Sequence, residues 1–329
     1  MRLSLTPNPL QSPVDYGHKS NGAQTRLSVG IAAYNEAANI GRLIERVQLD
    51  IGETGRILVV CSGCTDKTSE IVAGYSRLDP RVRLVIEENR NGKSSAINKI
   101  LSEFMGDMLL LVSADVLPEL GCIPAMVSAM ESDPSIGVVS SRPNPVNGNH
   151  CLTGHLGHLY WRLHHETLSL LDASNQNTHG GEAILLRRGV VNSIPSDCIN
   201  DDAYIGVQAV LRGFRVRYCA EARVKTRTPD RITELIEQRR RIIAGHARVK
   251  RHTGKFPKVL TTLSFQDPSK FMQVLTSELR SHPRSLPSFL VALYLEAVSG
   301  MLAIVDGVAG RTGGGAGLFQ RGGAEEEAG

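Results

Sequence analysis

Leu109–Val112 is an unbroken apolar run that stops abruptly at Ser113-Ala114-Asp115. Such a run is what a strand buried on both faces of a parallel sheet requires. A carboxylate at the C-terminal end of a buried strand sits at the crevice where open α/β sheets bind ligands. The chain around it repeats this pattern. Leu27–Ala33, Arg56–Val60 and Val82–Ile86 are further apolar strands, and each runs into a polar motif: Tyr34-Asn35-Glu36, Cys61 to Thr68, and Asn89 to Ser94. Between them Ile40, Leu43, Ile44 and Val47 recur at helical spacing, and Ile71-Val72 and Ile97, Ile100 and Leu101 mark two more helices. Asp66 is placed to cap the first of these two. A helix across Ile123–Met130 leads to a strand at Ile136–Val139. Strands alternating with helices predict an α/β fold, a mostly parallel sheet with helices on both faces and the polar motifs along one rim.

The second half is less regular. His155–Leu171 reads as a helix, Ala183–Leu186 as a short strand after Gly180-Gly181, Asp201–Leu211 as a helix and Phe214–Cys219 as a strand. Ile232–Arg251 is a long basic helix, and Ser288–Val305 is an apolar stretch interrupted by Glu296. The expected organisation is a disordered lead-in over 1–25, one α/β domain over 26–256, a C-terminal helical segment over 257–309 and a flexible Gly-rich tail over 310–329. The lead-in has no apolar core of a signal peptide. Six cysteines spread along 329 residues predict reduced thiols rather than a disulfide framework. A net charge of +4 is too mild to point to nucleic acid.

Each polar motif has a plain structural reading and a functional one. Tyr34-Asn35-Glu36 is either a βα turn or a nucleotide contact. Cys61 and Cys64 have redox spacing, but without a second pair they make no four-thiolate zinc site and read as two unbonded thiols in a turn. Asn91-Gly92-Lys93-Ser94 resembles the end of a P-loop, yet Glu87 stands where the first glycine belongs, so Lys93 is left as a phosphate contact at a helix start or as a solvated lysine. Asp115 is either a helix cap before Leu117–Leu120 or a ligand for a divalent cation bridging phosphates. In Asn200-Asp201-Asp202 adjacent carboxylates repel, which raises one pKa and suits a general base, unless they only stabilise a helix N-terminus. His155, His158, His164 and His165 share one helix at spacings poor for a metal. Gln238-Arg239-Arg240-Arg241 is a diphosphate clamp, a solvated basic face or a surface for anionic lipid.

Taken in order from about Leu27 to about Gly254, these motifs resemble the family 2 inverting glycosyltransferases of the GT-A (Rossmann-like) fold. The resemblance implies a role for each position. Tyr34, Asn35 and Glu36 would line the nucleotide, and Asn91, Gly92 and Lys93 the nucleotide-sugar cleft. Asp115 matches the last acid of the DxD motif and would hold Mg²⁺ or Mn²⁺ on the diphosphate. Gly181 and Glu182 would lie by the acceptor with Asp201, and Asp202 would be the base. Gln238 and Arg241 match the QxxRW motif, with Arg241 helping to stabilise the leaving diphosphate. Three positions depart from the pattern: Ser113 replaces the first DxD acid, Cys61 and Ser62 replace base-reading aspartates, and Ile242 replaces the tryptophan. The implied activity is hexosyl transfer from a nucleoside diphosphate sugar, a UDP-sugar before a GDP-sugar, to a sugar or lipid-linked acceptor. Nucleic acid is not an expected partner. Ser288–Val305 is about long enough to span a bilayer, with Glu296 costly at its centre. It implies a cytoplasmic, membrane-associated protein, or a helix packed on the protein itself. The alternative class is a non-catalytic nucleotide-sugar-binding or membrane-surface adaptor that kept the fold.

Overall fold

A computed structural model describes residues 26–148 and 150–308. The expected lead-in over 1–25 and tail over 310–329 lie outside the described residues. In chain order the elements are β1 (Leu27–Ala33), α1 (Ile40–Asp50), β2 (Arg56–Ser62), α2 (Thr68–Leu78), β3 (Val82–Glu87), α3 (Lys93–Glu103), β4 (Met108–Ser113), β5 (Leu117–Pro118) and α4 (Cys122–Glu131). Then come β6 (Ile136–Pro145), α5 (Leu152–Ala173), β7 (Ala183–Arg187), α6 (Asp201–Leu211), β8 (Arg215–Thr226) and α7 (Ile232–Thr253). The chain closes with α8 (Leu260–Gln266), α9 (Pro268–Ser281), a 3₁₀ turn at Pro283–Ser285 and α10 (Leu286–Val308).

The strands form one sheet in the order β3-β2-β1-β4-β7-β6-β8-β5. The first four are mutually parallel, and β6 is parallel to β8. β7 runs antiparallel to both β4 and β6, and β5 antiparallel to β8. The apolar runs are apolar throughout because both faces are covered. On β4, Leu110 and Val112 point into one core with α1 and α4, while Leu109 and Leu111 point into another with α3 and α6. The same period-two division separates Val59 from Leu58 and Val60 on β2. Ile40, Leu43, Ile44 and Val47 of α1 are all fully buried, as their spacing predicts.

Two local expectations are corrected. Leu117-Pro118 is not the start of a helix but a short strand on β8, and Ala114-Asp115 form the turn before it. Asp66 lies one residue ahead of the cap position of α2, although its carboxylate still accepts the N–H of Thr68 at 2.9 Å.

A third apolar cluster joins the C-terminal helices to the domain. Leu156, Leu159 and Leu163 of α5 and Leu235 of α7 pack with Val274, Phe289, Ala292 and Leu295. The basic helix α7 is wired to acids. Arg239 pairs with Glu296 and Arg240 with Asp306, both on α10, and Arg251 and His252 pair with Asp197. Glu296 therefore faces the protein, not the surface of α10. The opposite stripe of α10, Leu286, Leu290, Leu293, Tyr294, Met301, Ile304 and Val305, is exposed and apolar.

Candidate active site

Parallel strands deliver their C-terminal ends to one rim. Across that rim Ala33 lies opposite Cys61, Ala32 opposite Ser113 and Ser62 opposite Glu87. The loops that follow are tied together. Asn35, in the left-handed region at φ 53°, accepts the Thr65 N–H at 2.8 Å and donates to the Thr65 hydroxyl at 3.0 Å. Glu36 donates its N–H to the Thr68 hydroxyl at 2.8 Å. The Asn91 N–H donates to the Ser62 hydroxyl at 3.3 Å, and the Arg90 guanidinium lies 4.0 Å above the Tyr34 ring. Gly63 has to be glycine. Its φ is 62°, and a Cβ there would stand 2.5 Å from the Arg90 nitrogen. Cys61 and Cys64 are free thiols. The hydrogen bond between them lowers Cys64 to about 6 and raises buried Cys61.

β7 changes what meets at the rim. Being antiparallel, it starts where β4 ends, with Ala183 opposite Val112. Glu182, immediately before it, is thereby set against Asp115. Desolvation first, then the Asp115 charge, pushes the Glu182 carboxyl up to about 7, although part of its surface still meets solvent. Gly92 precedes the first turn of α3, which carries Lys93. The Lys93 ammonium lies 2.9 Å from Asp201. Desolvation opposes its charge, but Asp201, Asp202 and Glu182 prevail and raise its pKa.

Asp201 and Asp202 open α6, where successive side chains diverge by about 100°. Asp201 turns to Lys93 and Asp202 to His179, whose Nε2 is 3.2 Å away. His179 accepts the Gly181 N–H at Nδ1, 3.1 Å, so its neutral ring carries the proton on Nε2 and donates it to Asp202. His164 stacks edge-on against His179, and His246 is buried nearby. Burial lowers both, His246 to about 3, so both stay neutral. His158 and His165 instead bond to the Asn147 carbonyl and the Tyr218 hydroxyl, at 2.9 and 2.8 Å. α7 reaches the same place. Asn200, next to the acidic pair, donates to the Ile242 carbonyl at 3.0 Å, one residue beyond exposed Arg241 and one turn beyond Gln238.

The structure thus gathers Lys93, Asp115, Glu182, Asp201 and Asp202 into one electrostatic cluster, with Tyr34, Asn35, Glu36 and Asn91 along the same rim. His179 and Arg90 were not singled out from the sequence. Each sits beside a motif that was, His179 directly before Gly180-Gly181 and Arg90 directly before Asn91.

The profile described as "Glycosyl transferase family 2" matches residues 28–194, just over half of the chain. The chain belongs to this family. A curated relative, the poly-beta-1,6-N-acetyl-D-glucosamine synthase of Staphylococcus aureus, is 23% identical over 223 residues, which is 65% of this chain and 53% of the relative. The chain therefore spans about half the length of the curated relatives it matches. Among solved structures, the mannosyltransferase PcManGT from Pyrobaculum calidifontis, in complex with GDP-Man and Mn²⁺, superposes with a TM-score of 0.58 at 20% identity, covering 87% of this chain and 81% of that one. Glucosyl-3-phosphoglycerate synthase from Mycobacterium tuberculosis, in complex with Mn²⁺, UDP and glucosyl-3-phosphoglycerate, gives a TM-score of 0.51 at 18% identity, covering 72% of this chain and 82% of that one. The fold of this family 2 chain is that of the GT-A glycosyltransferases, with C-terminal helices added.

Proposed function

We propose that this chain is an inverting glycosyltransferase that moves a hexosyl group from a nucleoside diphosphate sugar to an acceptor hydroxyl with the help of a divalent cation. The observation that carries the proposal is the juxtaposition of two carboxylate groups with different partners. Asp115 with Glu182 lies at the strand ends, and Asp202 lies on the His179 side of the same cluster. Family membership and solved neighbours with Mn²⁺ and nucleotides support it.

No group of three or more potential metal ligands is gathered among the described residues. A preformed cage is therefore not the model for this site. Mg²⁺ and Mn²⁺ take one or two carboxylates and complete their shell with phosphate oxygens and water. Asp115, within reach of the Glu182 charge, fits that requirement even though Ser113 supplies no second DxD acid. Bound there, the cation would supply charge neutralisation for the diphosphate. The protein's own groups do the rest. Asp202, held by the His179 N–H, takes the proton of the acceptor hydroxyl as that oxygen attacks the anomeric carbon and the bond to the diphosphate breaks. Lys93, fixed by Asp201, and Arg241 add positive charge on the donor side. Tyr34, Asn35, Glu36, Asn91 and Gly92 line the nucleotide, and Gly181 and Gln238 the acceptor side. A UDP-sugar is the first donor to test and a GDP-sugar the second; the acceptor is a sugar or a lipid-linked sugar.

The same proposal includes a cytoplasmic protein attached to a membrane surface. Among the described residues one helical stretch, Pro283–Asp306, is long and apolar enough to cross a bilayer. Its two acids are neutralised by Arg239 and Arg240 on the inner side, and from Leu286 onward its outer stripe carries no charge. A helix packed on protein along one face and apolar along the other suits an interfacial position better than a span. The non-catalytic alternatives draw no support from a site that retains both Asp115 and Asp202.

The test is binding of UDP and GDP with and without Mn²⁺, followed by thermal unfolding. A nucleotide at about a hundred times its dissociation constant adds roughly 2.7 kcal/mol. Asp115→Asn should abolish the Mn²⁺-dependent part and leave the fold intact. Unchanged metal-dependent binding in that variant would remove Asp115 from the site.

A further inference from the structure

A cavity of about 450 Å³ opens between the loop Asn175–Thr178, the C-terminal ends of α6 and α7, and the segment that follows α7. It is separate from the carboxylate cluster. Val210 in its wall is eight residues beyond Asp202, about 12 Å along the axis of α6.

The lining has two characters. Val207, Val210 and Phe256 form an apolar wall, and Lys250, Lys255 and Lys258 bring three ammonium groups. Lys250 lies 4.6 Å over the Phe256 ring, and Lys258 donates to the Gln176 side-chain oxygen at 2.9 Å. Among the described residues none of the three forms an ion pair with a carboxylate. Asp267, the acid whose charge acts on Lys258, is bound to Lys270 at 2.8 Å. Burial and then Lys270 lower the Lys258 pKa, as befits a cation short of counter-charge. Asn177 is only 2% exposed, and its amide nitrogen has no partner in the protein. Its oxygen is already committed to the His179 N–H at 3.0 Å. A buried donor without an acceptor is destabilising, and a ligand oxygen would satisfy it.

We infer that this cavity binds the phosphate group of an organic phosphate monoester. A dianion with three acceptor oxygens matches clustered ammonium groups and a waiting amide donor, and an attached carbon framework matches the apolar wall. Its occupation fixes Asn177, hence the backbone of His179 and the hydrogen bond to Asp202. The binding itself does not depend on the transferase reading; its effect on turnover rests on that reading.

The experiment titrates phenyl phosphate into the full-length protein without divalent cations, followed calorimetrically. Saturable binding is expected. Lys258→Met and, as a second variant on an exposed position, Lys250→Met should each weaken it about tenfold or more, the worth of a lost charge-assisted contact. Asn177→Asp should weaken it further by placing a like charge in the pocket, while Asp115→Asn leaves it unchanged and UDP does not compete. Absent saturation overturns the inference. So does affinity unchanged from the unsubstituted protein in both lysine variants, or loss of binding in Asp115→Asn with competition by UDP, which places the phosphate in the donor cleft. Intact phenyl phosphate binding with no transfer from any donor would sink the transferase reading alone. Two sources of the phosphate are separable. Competition with the acceptor marks a phosphate carried on the acceptor. A changed rate of donor hydrolysis without such competition marks a separate metabolite. Both support the pocket.

Discussion

Replacing Glu182 by Gln removes an acid whose pKa stands at about 7 instead of the ordinary 4.5. Desolvation is the larger cause and the Asp115 charge the next, with Lys93 opposing them. Between these two values the folded protein holds a proton that the unfolded chain has released. The unfolded state then binds fewer protons, so stability falls as pH rises through this window and levels off above it. The stabilisation is complete below about pH 4.5 and lost above about pH 7. At about 1.4 kcal/mol per pH unit the gap corresponds to at most about 3.5 kcal/mol. Solvent contact at the cleft reduces this to about 1–2 kcal/mol. Glu182→Gln should therefore match the natural protein near pH 4.5 and exceed it by about 1–2 kcal/mol at pH 8. Urea unfolding at half-unit steps from pH 4.5 to 8.5, with constant m-values, measures the difference between the two curves. UDP with Mn²⁺ should flatten the curve of the natural protein and leave the variant's shape unchanged, because a cation beside Asp115 favours the ionised Glu182. Parallel curves for the two proteins without ligand would refute the electrostatic account of the cluster.

Three further outcomes are expected. Asp202→Asn should cut turnover by about 10²–10⁴-fold with donor affinity nearly unchanged, as loss of a general base does; Asp201→Asn, which releases Lys93, should cost less turnover, and the reverse ranking would show the pair misassigned. Leu290→Glu combined with Ile304→Glu should move the full-length protein off lipid vesicles without lowering its melting temperature, since both side chains point outward; persistence on vesicles rejects the attachment. Gly30→Ala should destabilise by about 1–3 kcal/mol because its Cβ would stand 2.3 Å from Cγ2 of buried Ile100, and an unchanged denaturation midpoint would contradict that packing.

Much of the scaffold was legible in the sequence. The runs at Leu27, Arg56, Val82 and Leu109 announce strands because a strand covered on both faces must be apolar at every position. Ile40 to Val47 announce a helix because only a period near 3.6 puts those four residues on one side. Parallel strands then oblige Tyr34-Asn35-Glu36, Asn91-Gly92-Lys93 and Asp115 to share a rim. The shortest strand and the packing of the C-terminal helices were not legible. Two residues at Leu117-Pro118 form a strand only because the edge of β8 is there to receive them, and α8 and α9 carry narrow apolar stripes that gain meaning only against α5. The charged positions depended most on three dimensions. Nothing local says that β7 runs backwards and so sets Glu182 against Asp115. Nothing local says that Asp201 takes Lys93 and Asp202 takes His179, or that Glu296 and Asp306 are turned onto Arg239 and Arg240. Local periods record which face of an element is buried. They carry no record of which distant side chain lies opposite, and the chemistry of a charge is set by what lies opposite it.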